Sequence, residues 1–152
     1  RGEEHGYHFG GDVYQRVELS ENGLDCRIVP ASDPVGEGTY NAAEFTPALI
    51  KDGEKIEDSF WTGEQPRACF GTSTQGIYML VIEGRYPDEG IRGTSVNTCS
   101  DILLSYGCWN ALNMDGGSSA ILWYDGEYVT QSSSSFLRYT GGRPLPNAWV
   151  YG

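Results

Sequence analysis

Cys108-Trp109-Asn110-Ala111-Leu112-Asn113-Met114-Asp115-Gly116-Gly117-Ser118-Ser119 decides how this chain folds. The apolar run Cys108–Leu112 reads as a buried strand that delivers one carboxylate, Asp115, to its carboxyl end. Two glycines then let the backbone turn tightly and come close to another group. Ser118 and Ser119 add hydroxyls, and a second apolar run, Ala120–Tyr124, leads out. A carboxylate, backbone amides and hydroxyls converging at a strand end can form a polar-ligand site. Asp-Gly and Gly-Gly are also common turn dipeptides, and on spacing alone a plain turn is the favoured reading.

Upstream, Val96, Cys99, Ile102, Leu103 and Tyr106 recur at helical spacing. Thr94 or Ser95 can cap that segment and Gly107 can end it in a left-handed conformation. The pattern predicts one clear helix at about 94–106, followed at once by the strand from Cys108. Elsewhere short strands and turns alternate. Asp12–Glu18 and Leu24–Val29 read as strands, and Asp33–Gly38 as a loop. Phe45–Ile50 is an apolar run ended by a hairpin signal at Lys51-Asp52-Gly53-Glu54. Arg67–Gly71 and Gly76–Glu83 read as two more strands, the second apolar enough to suggest burial on both faces. Asp125-Gly126 joins Ala120–Tyr124 to Glu127–Thr130. Ser132–Ser135 is a polar loop, and Leu145–Tyr151 closes the chain as a strand. The fold class expected is α/β or α+β: a mixed, strand-rich sheet with few helices.

At 152 residues the chain is expected to be a single domain, 1–152. Four Trp, ten Tyr and five Phe argue for a folded globule. A net charge of −11 makes nucleic acid and anionic membranes poor partners. No apolar stretch is long enough for membrane insertion. Eight Arg against two Lys favour planar, bidentate recognition of carboxylate or phosphate. Five of them, Arg67, Arg85, Arg92, Arg138 and Arg143, share the second half with Asp115. The four cysteines (Cys26, Cys69, Cys99 and Cys108) lack zinc spacing, and buried free thiols are favoured over a bridge. Trp109, Trp123, Trp149 and Tyr124 read as core or edge packing before sugar platforms. The chain starts at Arg1 without Met, as a processed, excised or engineered piece does.

Five segments, in order, resemble the phosphodiester glycosidase family over about 40–151. They are Phe45-Thr46-Pro47-Ala48-Leu49-Ile50-Lys51-Asp52-Gly53, Pro66-Arg67-Ala68-Cys69-Phe70-Gly71, Glu83-Gly84-Arg85, Asn110–Gly117 after its helix, and Gly142-Arg143-Pro144 with Asn147-Ala148. Ser118 stands where the family usually has a third glycine, and Thr98 where a helix carboxylate is common. The family's opening Asn-Gly-Gly/Asp-x-Phe-Phe motif has no match in residues 1–38. The resemblance therefore implies the C-terminal part of such a domain, with a second polypeptide as one possible source of the rest.

The resemblance implies hydrolysis of a sugar-1-phosphodiester at its glycosidic bond. A phosphate monoester leaves readily, so the site needs charge complementarity to the phosphodiester and a carboxylate at the anomeric carbon. Asp115 is the implied nucleophile or stabiliser of the oxocarbenium-like state, against a turn or capping aspartate. Glu83 is the candidate second carboxylate, against a solvated strand end. Arg67 and Arg143 are the candidate phosphate clamp, with Arg85, Asn113, Gly116, Gly117, Ser118 and Ser119 as further substrate-binding positions. The amides after Asp115 could form an anion nest. Without the resemblance, structural ion pairs are favoured for the arginines. No cofactor is required. A divalent cation is possible but not indicated, and the metal status is unknown; His5 and His8 are weak candidates. The expected setting is extracellular or cell envelope, acting on envelope or glycan-linked phosphodiesters. The alternative is a non-catalytic module that binds anionic glycans, or a structural part of an envelope or phage assembly.

Overall fold

In the computed structural model the described residues are 13–23, 25–134, 142–145 and 148–151. Ten strands and one α-helix follow the chain. They are β1 (Gln15–Leu19), β2 (Cys26–Pro30), β3 (Asn41–Phe45), β4 (Ala48–Lys51), β5 (Glu54–Lys55), β6 (Arg67–Ser73), β7 (Gly76–Ile82), α1 (Val96–Ser105), β8 (Asn110–Asn113), β9 (Trp123–Tyr124) and β10 (Glu127–Tyr128). They form a five-stranded sheet ordered β5-β4-β8-β6-β7, a three-stranded sheet ordered β2-β1-β3, and the two-stranded hairpin β9-β10. The fold is strand-rich α+β. Every registered pairing is antiparallel, with two-residue turns joining β4 to β5, β6 to β7 and β9 to β10; no parallel pair occurs among the described residues.

Side-chain alternation along β6 and β8 sorts the core into two layers. Cys69 faces Asn113 and Gly71 faces Ala111 across the ladder, so these four share one face. That face carries α1, whose Val96, Cys99 and Leu103 pack on Leu49, Ile50, Cys69 and Ala111. Phe70 and Leu112 are paired on the opposite face and meet Val17, Leu19 and Ile28 of the small sheet. The result is helix, large sheet, small sheet, with β8 in the middle. Residues 110–113 are all buried, as the apolar run required.

The helix boundaries follow from their caps. The Ser95 side chain accepts the Thr98 amide at 3.1 Å, and Gly107 is left-handed at φ 76°. The hairpin at Asp52-Gly53 has positive φ at both residues, 52° and 83°, as a two-residue turn of that hand demands. All four cysteines are free, with Cys69, Cys99 and Cys108 buried. Burial pushes the thiols of Cys26 and Cys108 up to about 11. Neither is poised as a nucleophile.

Several expectations are corrected. Gly76–Ile82 is an edge strand, half-buried at every position rather than covered on both faces; its apolar residues reflect one packed face and a rim. The hairpin strands contract to 123–124 and 127–128. Among residues 145 and 148–151, the described part of that segment, there is no strand. Trp149 is held by side-chain stacking instead: its ring centroid lies 4.4 Å from that of Phe70. β3 is a strand the sequence pattern did not announce.

The first strand also hides a charge network. Arg16 and Glu18 point away from Val17 and Leu19, yet both are only 2% exposed. Glu18 accepts from Arg16 Nε at 2.7 Å, Arg27 Nε at 2.6 Å, Thr39 Oγ1 at 3.1 Å and the Gly36 amide at 3.3 Å. Arg16 donates to the carbonyls of Ala31 and Asp33. Two charges thus pin the 31–39 loop over the outer face of the small sheet.

Candidate active site

The β6–β8 ladder continues past the end of β8. Met114 N bonds Ala68 O at 2.8 Å and Gly117 N bonds Pro66 O at 2.9 Å, which sets Asp115 beside Arg67. At Gly116 the two chains nearly touch: a Cβ there would stand 2.6 Å from Pro66 O. Gly117, at φ 58°, then starts one 3-10 turn, Gly117–Ser119, that carries Ser119 back over Asp115. The two glycines are needed for the close approach and the left-handed step.

Ser119 Oγ donates to Asp115 Oδ2 at 2.7 Å, and Arg143 Nη2 reaches the same oxygen at 2.6 Å. The Ser119 oxygen also accepts from Arg143, at 3.0 Å from Nε and 2.6 Å from Nη2. Asp115, Ser119 and Arg143 thus form one closed cluster. The ion pair is about half exposed, 48% for Arg143 and 53% for Asp115, so it is open to a ligand. Among the described residues Oδ1 of Asp115 has no hydrogen-bond partner.

Arg85 reaches the turn from the far side of β6. Its backbone is left-handed at φ 68°, and its Nε donates to Gln65 Oε1 at 2.8 Å. Both terminal nitrogens lie 3.1 Å from the point where a Gly117 Cβ would stand. No carboxylate pairs with Arg85 among the described residues. Glu83 follows the end of β7, one strand beyond β6, where its Oε1 accepts the Gln131 amide at 2.6 Å. Asp115 and Glu83 therefore flank β6 at one end of the sheet, with backbones about 10 Å apart by two strand spacings.

Arg67 is on β6 as expected, but its guanidinium is committed elsewhere. It is 4% exposed and donates to Thr94 O at 3.0 Å, Trp61 O at 3.2 Å and Gly63 O at 2.9 Å. Burial lowers its pKa from the ordinary value, yet an arginine stays charged there. Its bonds tie the 61–63 loop and the segment before α1 to the sheet. No described bond links it to Asp115 or Arg143: its guanidinium is spent on those carbonyls, while the Arg85 guanidinium lies against Gly117. Asn113 is 2% exposed, and its amide donates to Thr46 O at 2.8 Å, which makes it a strut beneath the site. Ser118 is half-buried, and its carbonyl accepts from Ser132 Oγ at 3.4 Å. The predicted nest is largely closed: the amides of Gly117, Ser119 and Ala120 already bond Pro66, Gly116 and Gly117 carbonyls.

The sequence reading did not single out Gln65 or Gln131. Gln65 precedes the Pro66-Arg67 strand start and steers Arg85. Gln131 follows the β9–β10 hairpin, and its backbone amide holds Glu83. Neither has a local pattern that marks it, since each acts through a partner far along the chain. Among the described residues no group of three His, Cys, Asp or Glu side chains is arranged to hold a metal ion. His5, His8, Arg138 and Asn147 lie outside the described residues.

The family model for phosphodiester glycosidase matches residues 2–151. The chain belongs to the phosphodiester glycosidase family. The match takes in residues 2–38 as well, beyond the motifs at about 40–151 that carry the resemblance. A relative of this phosphodiester glycosidase domain is the SPbeta prophage-derived uncharacterized protein YomE of Bacillus subtilis (strain 168). It is 26% identical over 118 residues, which is 74% of this chain and 18% of YomE. Among solved structures, the zebrafish N-acetylglucosamine-1-phosphodiester alpha-N-acetylglucosaminidase catalytic domain, auto-inhibited by its pro-peptide, is similar. The TM-score is 0.59 at 15% identity, over 84% of this chain and 47% of that one. That likeness shows the fold. The chain thus spans less than a fifth of YomE and less than half of the zebrafish chain. No helix among the described residues is long and apolar enough to cross a membrane.

Proposed function

We propose that this phosphodiester glycosidase domain hydrolyses a sugar-1-phosphodiester between the anomeric carbon and the bridging phosphate oxygen. The observation that carries the reading is the Asp115–Ser119–Arg143 cluster at the end of β8, with the Arg85 guanidinium, which meets no carboxylate among the described residues, against the same turn. A sugar phosphodiester presents a fixed anion next to a carbon that becomes positive in the transition state. The cluster offers the matching pair of opposite charges. Arg143, drawn toward the phosphate, exchanges one anion for another. Asp115 is released to face the anomeric carbon, where it stabilises the oxocarbenium-like state or attacks it. Arg85 supplies the second guanidinium to the phosphate. Glu83, on the other side of β6, is the candidate to position or activate water. The phosphate monoester departs with the bonding electrons and needs little protonation.

Asp115→Asn tests the reading. The asparagine is nearly isosteric, and the Arg143 it leaves is exposed, so the fold should survive. Hydrolysis of an α-hexosaminyl-1-phosphodiester should fall by roughly 10³-fold. A folded variant that keeps turnover within tenfold of the parent removes Asp115 from the mechanism. A parent that binds the diester without cleaving it favours the second reading, an anionic-glycan-binding module. The Arg143 bond that occupies Asp115 supports that reading. The substrate's sugar and an extracellular or envelope setting belong to the proposal as expectations from the chemistry, in line with a prophage-derived relative.

A further inference from the structure

The β9–β10 hairpin is rooted in the site at both ends. Its leading segment leaves the turn at Ala120, next to Ser119, and its trailing segment passes through Gln131, whose amide holds Glu83. Ser132 then bonds the Ser118 carbonyl and accepts the Tyr86 hydroxyl on its own carbonyl. Between those anchors the base is closed by Val129 N to Leu122 O at 2.8 Å and Leu122 N to Thr130 Oγ1 at 2.7 Å. The two-residue turn Asp125-Gly126 has φ 49° and 88°, the hand that matches strand twist. This projection is therefore braced, and its braces are the neighbours of the two candidate carboxylates.

Trp123 and Tyr128 lie directly opposite each other across this hairpin and so share one face. Trp123 is 59% exposed and Tyr128 44%. Neither ring packs on another aromatic ring among the described residues. Two large, exposed rings on one face of a braced ribbon lack an account in the folding of the domain, since they are outside both core clusters. Asp125 sits in the adjoining turn, a carboxylate suited to accept from hydroxyls and to repel a second phosphate, while Glu127 alternates with Tyr124 onto the opposite face of the hairpin. The guanidinium groups, Arg85 and Arg143, lie on the turn side.

We infer that the Trp123–Tyr128 face is a platform for a neutral pyranose unit of a glycan whose phosphodiester linkage sits at Asp115. The inference rests on the proposed hydrolysis for the position of the linkage, and it names the substrate as a glycan chain rather than a single sugar. Apolar C–H faces of a pyranose stack on aromatic rings, and Asp125 in the adjoining turn is the carboxylate placed to accept from its hydroxyls. Charge sorts the ligand along the site: anion to the arginines, neutral sugar to the acidic, aromatic hairpin.

The test compares the parent with Trp123→Ala/Tyr128→Ala and with Trp123→Phe. The first assay measures kcat/KM on α-hexosaminyl-1-phosphodiesters carrying one or four sugar units. The platform predicts that the double variant loses about tenfold on the four-unit substrate, holds within about twofold on the one-unit substrate, and that Trp123→Phe restores most of the loss. Equal effects on both lengths, or none on either, overturn it. The second assay titrates phosphate-free tetrasaccharides of glucose and of N-acetylglucosamine into each protein by isothermal calorimetry. Binding by the parent that the double variant loses supports the platform even if no diester is cleaved, in which case only the hydrolysis reading fails. Absence of tetrasaccharide binding by the parent overturns the platform. So does a parent dimer that the double variant converts to monomer, since a second copy would then be the occupant.

Discussion

Gly116→Ala tests the geometry that holds the turn, and its cost can be worked from two distances. The new Cβ would stand 2.6 Å from the Pro66 carbonyl oxygen. A carbon–oxygen contact settles near 3.3 Å or more, so the strands must part by roughly 0.7 Å. The Gly117–Pro66 hydrogen bond, now 2.9 Å, would then exceed hydrogen-bonding range. Losing that bond and forcing backbone against backbone together cost about 2–4 kcal/mol. For a chain of this size that lowers Tm by roughly 5–15 °C. Gly117→Ala is the control. Its Cβ meets the flexible end of Arg85 at 3.1 Å, so the main penalty is the left-handed backbone, about 1 kcal/mol. Circular dichroism melts and inorganic phosphate titrations separate the two. Gly116→Ala should melt far lower, and Gly117→Ala should melt slightly lower but bind phosphate more weakly because Arg85 is displaced. A Gly116→Ala protein that melts within about 2 °C of the parent would refute the close approach and the turn geometry built on it.

Two further outcomes follow from the buried charges. Burial works to raise the Glu18 carboxyl, but bonds from Arg16, Arg27, Thr39 and the Gly36 amide prevail and hold it below its ordinary value. The unfolded chain binds that proton more readily, so Glu18 contributes stability above the unfolded carboxylate pKa and loses it as pH falls through the lower folded value. Glu18→Gln should lower stability at pH 7 by about 2–3 kcal/mol, since it leaves buried Arg16 with only the longer bridge to Glu44 at 3.4 Å, and should flatten the acid limb of a chemical-denaturation profile; an unchanged limb argues against the network. Arg67→Met should unfold about 2–4 kcal/mol more easily, because three carbonyls lose a charged donor, yet the folded fraction should bind phosphate as the parent does. Weakened phosphate binding at full stability would instead return Arg67 to the clamp.

What the sequence disclosed were features written in neighbouring residues. Ser95, the 3.6-residue recurrence from Val96 and Gly107 bound the helix; Asp52-Gly53 and Asp125-Gly126 are hairpin turns by their chemistry; Cys108–Leu112 is apolar because β8 is central. Asp115 and Arg143 stand in family-like motifs, and they meet. What neighbouring residues do not show are partners fixed only in three dimensions. Arg16 and Glu18 alternate with Val17 and Leu19 as solvated residues would, and only the 31–39 loop buries them. Arg67 turns to carbonyls before α1, which no spacing reveals. Asn-Ala-Ala-Glu-Phe has too little apolar alternation to announce β3; that strand exists because β1 needs a second neighbour. Trp123 and Tyr124 looked like packing residues, but their hairpin stands clear of both cores.

The position of β7 has a consequence for handling the protein. Gly76–Ile82 ends the five-stranded sheet, and among the described residues its outer row of amides and carbonyls meets no further strand. Its sequence, Gly-Ile-Tyr-Met-Leu-Val-Ile, carries no charge and no proline. Such an edge is a template for intermolecular pairing. Colloidal behaviour in concentrated stocks will therefore be governed by this ribbon, with the −11 net charge as the opposing repulsion that added salt removes. A lysine at an outward position of β7 would act as a gatekeeper on the far flank of the sheet from β4 and β5, leaving the Asp115 turn untouched.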